Sequence, residues 1–233
     1  MFFDTGRLAT GPIVLADLNS ELANVWALVR DKLLELLDAL TAYEGKDTEA
    51  EYYTVRGEQQ PNNPVLRAAR FLYLNQTAWN GLWRVNRWGR FNVPWGARPF
   101  RGIDANELLD ISSMLADVAI READFRDVLA APSSGDFVYL DPPYLPISDT
   151  SKFHGYTEKR FRRADLIELA ALCEQLTDRG VYWVLSNRDT PLVRELFSHA
   201  EIVGLTTRRS VAAQNRRDIE PAHSPEVIIV GGA

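Results

Sequence analysis

The stretch "GDFVYLDPPYLP", residues 135–146, decides how the rest of the chain is read. Phe137, Val138, Tyr139 and Leu140 are four β-formers behind Gly135 and Asp136, which predicts a short buried strand. Pro142 and Pro143 cannot donate to a ladder, so that strand stops at Asp141. In an α/β sheet, ligand-handling groups stand at the carboxyl ends of strands. Asp141 and Tyr144 are therefore candidates for chemistry.

Working outward, "PIVLAD" (12–17) reads as an earlier strand. One helix over "NSELANVWALVRDKLLELLDAL" (19–40) follows it, capped by Asn19 or Ser20. A polar break covers Glu44 to Glu51. Beyond it, "VLRAARFLYLNQTAW" (65–79) and "ANELLDISSMLA" (105–116) have helical spacing, with "NRWG" (86–89) as a hairpin turn between them. Strand and helix signals then alternate: "DVAIREAD" (117–124), "FRDVLAA" (125–131), "DFVYLD" (136–141), "ADLIELAALCEQLTDRG" (164–180) and "VYWVLSN" (181–187). "AEIVGLTT" (200–207) and "EVIIVGG" (226–232) add two more strands. This order predicts an α/β fold, a mostly parallel sheet with helices on both faces. Residues 1–43 and 117–233 would form the sheet domain, and 44–116 an insertion.

At 233 residues and 46% apolar content the chain can bury a real core. A single cysteine excludes a disulfide framework, no apolar run reaches membrane-spanning length, and no signal-peptide pattern opens the chain. A cytoplasmic protein without membrane partners is expected. The net charge of −6 argues against nonspecific nucleic-acid binding by the whole surface, yet charge is segregated. From Asn80 to Ile103 there are five arginines and no acidic residue, with Trp79, Trp83, Trp88 and Trp95 in or beside the interval. A solvated basic loop with packed aromatics is the plain reading. Arginine forks on phosphates and base edges, interleaved with aromatic faces, suit nucleic acid better.

"DPPY" (141–144) after an apolar strand resembles the catalytic tetrad of amino-group DNA methyltransferases. "ADLN" (16–19), "RFLYLNQTAWNGLWRVNRWGRFNVPWG" (70–96) and "SNRDT" (186–190) stand in the order found in Dam-like adenine methyltransferases. The resemblance covers nearly the whole chain. It implies a Rossmann-like S-adenosylmethionine-dependent methyltransferase sheet, a target-recognition insertion with a hairpin, and duplex DNA as partner. It also implies methylation of the adenine N6 amine after base flipping. The chemistry is consistent with those residue types. An exocyclic amine is a poor nucleophile because its lone pair is delocalised into the ring. A carboxylate and a carbonyl held side by side can each accept one N–H and favour the pyramidal nitrogen that attacks a methyl. Asp141 and the Pro142 carbonyl supply these acceptors, Pro143 sets the turn, and Tyr144 offers an aromatic face to a flipped base.

By the same resemblance Asp17 meets the cofactor's ribose hydroxyls, and Asp124 and Phe125 meet its adenine. Asp17 can also be read as a capping or turn aspartate, and Asp124-Phe125 as an ordinary helix start. Asn80, Arg84, Asn86 and Arg90 are the polar groups expected at the DNA, with Trp88 as a wedge. Phe153 and Tyr156 are candidates for packing on the target base. The pairs Arg162-Arg163, Arg208-Arg209 and Arg216-Arg217 are candidates for phosphates, with solvated surface as the alternative.

The family's Gly-rich loop after the first sheet strand has no counterpart here, since Gly6 and Gly11 are unsuitably spaced. A central strand would be missing with it: either a preceding segment belongs to the enzyme, or this is a short form that binds the cofactor badly or not at all and is compensated by a partner chain or a rearranged sheet. Cys173, in an apolar helical pattern, reads as a core thiol, and His154, His199 and His223 have no ligand spacing, so no metal is expected. Cytosine N4 methylation and a catalytically silent DNA-binding relative are the alternative functions.

Overall fold

The computed structural model describes residues 10–86, 88–145, 161–208 and 223–232. These fall into two compact units, one ending at Asp124 and the other beginning at Phe125.

The first unit opens with β1 (Ile13–Asp17) and α1 (Ser20–Asp31). Asn19 is the cap, its side chain accepting from the Glu21 N–H at 3.1 Å. The single helix expected over 19–40 is instead two, because α2 (Leu33–Leu40) restarts after Lys32, whose backbone sits at φ −143°, ψ 40°. The apolar spacing Val25, Leu28, Val29, Leu33, Leu36, Leu40 runs unbroken across the kink, and all six are buried. Periodicity therefore cannot reveal the break.

The expected polar break hides another helix, α3 (Glu49–Gly57). Thr48 and Glu51 form a reciprocal capping box at its start, and those hydrogen bonds hold the Glu51 carboxyl below the usual range. α4 (Pro64–Thr77) follows, capped by Asn63, and then α5 (Ala105–Leu115) and β2 (Val118–Glu122). Arg70 of α4 is buried; its guanidinium donates to the carbonyls of Val55, Arg56 and Glu58 at 3.1, 3.1 and 3.4 Å. It thus satisfies the carbonyls at the end of α3 that have no intrahelical donor. Strands β1 and β2 pair in parallel from Ile13–Val118 to Asp17–Glu122. Residues of the expected insertion share one apolar core with α1 and α2: Tyr52, Phe71, Tyr73 and Leu74 pack with Val29, Leu33 and Leu36.

The second unit contains α6 (Phe125–Leu129), β3 (Phe137–Leu140), α7 (Arg163–Asp178), β4 (Tyr182–Arg188), α8 (Pro191–Leu196), β5 (Glu201–Arg208) and β6 (His223–Gly231). Its sheet has the order β3-β4-β6-β5. β3 and β4 are parallel, whereas β6 runs antiparallel to both neighbours. The expected mixture of helices and strands is present, with more antiparallel pairing than predicted. β5 and β6 are consecutive strands, and adjacent strands can pair without the crossover helix that parallel pairing requires.

Side chains alternate along β4. Trp183, Leu185 and Asn187 are buried, and the two apolar members pack with Leu166, Leu169, Cys173 and Leu176 of α7 and Val193 of α8. Burying each such leucine contributes about 2 kcal/mol. Phe137, Tyr139 and Tyr182 point the other way and are exposed, so β3 is half-buried rather than buried as expected. An apolar run of four does not distinguish a two-sided from a one-sided strand.

Candidate active site

In the second unit, the β3–β4 ladder ends at Leu140–Leu185, and the two prolines prevent it from extending. Asp141 emerges beside Ser186. The Ser186 Oγ–H donates to Asp141 Oδ1 at 2.7 Å, while Asp141 itself is exposed. Pro142 and Tyr144 are half-buried, Pro143 is exposed, and the Leu145 carbonyl accepts from Arg188 Nη1 at 2.9 Å. The segment therefore presents a fixed carboxylate, a run of backbone carbonyls and an aromatic ring at the carboxyl end of a parallel strand. Sequence alone does not single out Ser186 and Arg188 as the neighbours of this segment. The "SNRDT" motif was the available signal, but only the strand register brings it against Asp141.

In the first unit, Asp17 ends β1, and its Oδ1 accepts the Asn19 N–H at 2.7 Å. This is an Asx turn; Asn19, not Asp17, caps the helix. Burial pushes the Asp17 carboxyl above its usual value, only partly opposed by that hydrogen bond. Glu122, not anticipated from sequence, is its partner in register, and Asp124 follows two residues later. A half-buried carboxylate whose second oxygen is left to accept suits the hydroxyls of a ribose, so the chemistry here fits a nucleoside-bearing cofactor. Phe125, the first residue of α6 in the second unit, packs edge-on against Phe161 at 6.2 Å and under Arg126 at 4.4 Å. Arg126 also pairs with Asp165 and Glu168, and the Asp165 carboxyl is held below its usual range. The helix-start reading of Phe125 thus has a visible structural basis.

The Arg/Trp interval of the first unit is an irregular hairpin rising from α4. Bridges join Ala78 to Trp95 and Val85 to Phe91, and the Asn86 N–H donates to the Arg90 carbonyl at 2.9 Å. Gly89 takes φ 71° at the turn, a left-handed conformation that favours glycine. At the base, a Cβ on Gly96 would come within 2.5 Å of the Ala78 carbonyl oxygen, so the closing strands approach only because this residue is glycine. Tyr52 Oη and Arg56 Nη1 of α3 both donate to the Val93 carbonyl, at 2.9 and 3.0 Å, fastening the hairpin to the helical core.

The four tryptophans of the hairpin separate into two kinds. Trp83 lies between Phe71 and Phe91, with ring centroids at 4.1 and 4.6 Å, while Trp79 and Trp95 pack on the core. Trp88 is 65% exposed near the tip. Arg84 is half-buried and donates to Asn92 twice, Nε to the side chain at 2.7 Å and Nη2 to the carbonyl at 3.1 Å. Asn86 Oδ1 accepts the N–H groups of Trp88 and Arg90 at 2.9 and 3.1 Å. Asn80 is exposed at φ 53°, tolerable for asparagine, and Arg90 is exposed.

Phe153, Tyr156, His154, Arg209, Arg216, Arg217, Gly6 and the first nine residues lie outside the described residues. Arg162 and Arg163 are exposed at the start of α7. Cys173 is fully buried, and burial pushes its thiol up to about 12, so it is a core residue and no nucleophile. Among the described residues no group of three metal-binding side chains converges. No helix there is long and apolar enough to cross a membrane.

Residues 1–211 match the family described as D12 class N6 adenine-specific DNA methyltransferases. The chain is similar to the Type II methyltransferase M1.LlaDCHI of Lactococcus lactis subsp. cremoris, 34% identical over 223 residues, which cover 92% of this chain and 78% of that one. It is 34% identical over 203 residues to the DNA adenine methylase of Serratia marcescens, with 85% and 75% covered. For the DNA adenine methylase of Escherichia coli K12 the identity is 32% over 203 residues, with 86% and 73% covered.

Proposed function

The chain belongs to the D12 class N6 adenine-specific DNA methyltransferases, and from that membership we propose that it methylates the exocyclic N6 of adenine in duplex DNA, with S-adenosylmethionine as donor and the target base flipped out of the stack. The observation that carries the reading is Asp141, exposed at the end of β3 with one oxygen already held by Ser186. Its other oxygen and the Pro142 carbonyl accept the two N6–H bonds, which localises the nitrogen lone pair for attack. Tyr144 stacks on the flipped adenine. Asp17 holds ribose hydroxyls of the donor, and Asp124 its adenine. When bound, S-adenosylmethionine supplies an electron-poor methyl on a positively charged sulfur. The Asp141 carboxylate offsets positive charge as the amine becomes methylated; the surplus N6 proton then passes along its hydrogen bond to Asp141, which is exposed and releases it to water.

In this reading the catalytic part is Rossmann-like and comprises 1–43 and 117–233, with 44–116 as the target-recognition insertion. Support comes from the parallel β1–β2 and β3–β4 pairs with their acidic carboxyl ends, and from the exposed Asn80, Trp88 and Arg90 on the hairpin. The same reading places the chain in the cytoplasm, in a restriction-modification, phage or regulatory setting; similarity to proteins named Type II methyltransferases supports the first of these settings. Cytosine N4 methylation and a silent binding role are not favoured, because the family and the methylases among the relatives are named for adenine.

The test is transfer of labelled methyl from S-adenosylmethionine to adenine-containing duplexes, with product identified as N6-methyladenine by mass spectrometry. Asp141→Ala is expected to cut transfer by at least about 10²-fold while duplex binding persists. Product on cytosine, or none with the intact chain, would refute the proposal.

A further inference from the structure

We propose that Ser186 is a positioning residue for the methyl transfer, setting which oxygen of Asp141 is presented to the adenine amine; this rests on the methyltransferase reading of Asp141. The argument begins with strand register. β3 and β4 pair in parallel up to Leu140–Leu185, so the next residues, Asp141 and Ser186, stand side by side one step beyond the last rung. Trp183, Leu185 and Asn187 are buried on one face of β4, which sends Ser186 and Arg188 to the other. From that face Ser186 reaches the side chain that opens the tetrad, and Arg188 reaches the carbonyl of Leu145 just after it.

Two consecutive prolines remove the backbone donors that would otherwise tie the segment down, and they fix φ at residues 142 and 143. The ladder holds the backbone at one end and Arg188 at the other. What remains free is the rotation of Asp141 about its own side-chain bonds. The Ser186 hydroxyl stops that rotation by donating to Oδ1 at 2.7 Å, a charge-assisted bond to an exposed carboxylate. With the rotation stopped and one lone pair of Oδ1 engaged, Oδ2 is the oxygen we assign to the amine. An unpinned carboxylate would sample rotamers in which neither oxygen meets the N–H, and misplacement of this size is costly in rate.

The experiment compares Ser186→Ala with Ser186→Thr, which keeps the hydroxyl and suits a strand. Single-turnover and steady-state transfer are read on adenine-containing duplexes, and crystal structures of both variants are determined. Ser186→Ala is expected to lower kcat by about 10- to 100-fold with the KM for duplex within about threefold. Ser186→Thr is expected to restore most of the rate. In the Ser186→Ala crystal Asp141 is expected in more than one rotamer, and in Ser186→Thr in one. The proposal is overturned if Ser186→Ala turns over like the parent, if threonine fails to rescue a correctly folded variant, or if Asp141 stays in one rotamer without the hydroxyl. The crystallographic comparison reads the tie even if the parent shows no transfer, an outcome that would refute the proposed function instead.

Discussion

Asn86 holds the hairpin turn and, in the proposed function, also meets the DNA; substitution can separate the two. Its Oδ1 accepts the N–H groups of Trp88 and Arg90 and thereby shapes the hairpin tip. With both acceptor sites taken, the side chain keeps only its Nδ2 donors for a ligand. Asn86 therefore cannot make the two-bond contact to adenine N6 and N7; it can donate to a phosphate or to a base acceptor. Asn86→Ala removes two hydrogen bonds at a half-buried turn, each contributing about 0.5–1.5 kcal/mol, so a loss of about 1–3 kcal/mol is expected. That corresponds to about 2–4 °C of Tm per kcal/mol in a chain of this size. Asn86→Asp keeps the acceptor and hence the turn, but exchanges the outward donor for a charge that repels phosphate. Its Tm should stay within about 1 °C of the parent, and its duplex affinity should fall about tenfold at low salt and less at high salt. Calorimetric unfolding and fluorescence anisotropy at two salt concentrations measure both. An Asn86→Asp protein that binds duplex like the parent at low salt would refute the placement of Asn86 at the DNA; an Asn86→Ala protein with unchanged Tm would refute its role in the turn.

Asp17→Asn tests a trade between stability and binding. Burial raises the folded-state pKa above the unfolded value near 3.8, so the folded protein binds more protons in that window and stability falls as pH rises through it. The asparagine variant should be more stable than the parent at neutral pH and equal to it well below 3.8, by Tm against pH, while calorimetry shows weakened S-adenosylmethionine binding. Arg70→Met leaves three carbonyls at the end of α3 without their donor, and should cost about 2–4 kcal/mol in denaturant unfolding. It should also weaken duplex binding, because α3 carries the two donors that hold the hairpin at Val93. Cys173 should stay unreactive towards a thiol reagent at pH 8 until the protein unfolds, as followed by absorbance of the released chromophore.

Most of the strands and helices were legible because apolar period and glycine or proline punctuation act locally. Besides the antiparallel pairing of β6 and the half-exposure of β3, three things were not. The kink at Lys32 preserves the apolar spacing on both sides, so no periodic signal marks it. α3 is polar enough to resemble a loop, yet Thr48 and Glu51 carry the capping-box spacing that announces a helix. Ser186 reaches Asp141 across 45 positions of sequence, a distance only strand register can close. The tetrad itself was readable because prolines write their consequence into the chain wherever they occur.

If the hairpin reads DNA as proposed, its arginines and tryptophans are not equally available for that work, because folding has already engaged some of them. Arginines and tryptophans look equivalent when read along residues 80–103, but folding assigns them different work. Trp83 supports the core between Phe71 and Phe91, while Trp88 is offered to solvent. Two nitrogens of Arg84 are committed to Asn92, so its fork cannot also grip a guanine edge with both unless that pair opens. Its charge nevertheless remains, because Asn92 is neutral, and it still draws phosphate from a distance. Arg84→Gln should thus act twice: it lowers the salt dependence of duplex binding by part of one phosphate's slope, and it loosens the Arg84–Asn92 tie that sets the spacing of the hairpin arms. Arg90→Gln, on an exposed side chain at the tip, should lower the salt dependence and leave Tm unchanged. Equal effects of the two substitutions on Tm would show that the Arg84–Asn92 tie does not hold the hairpin.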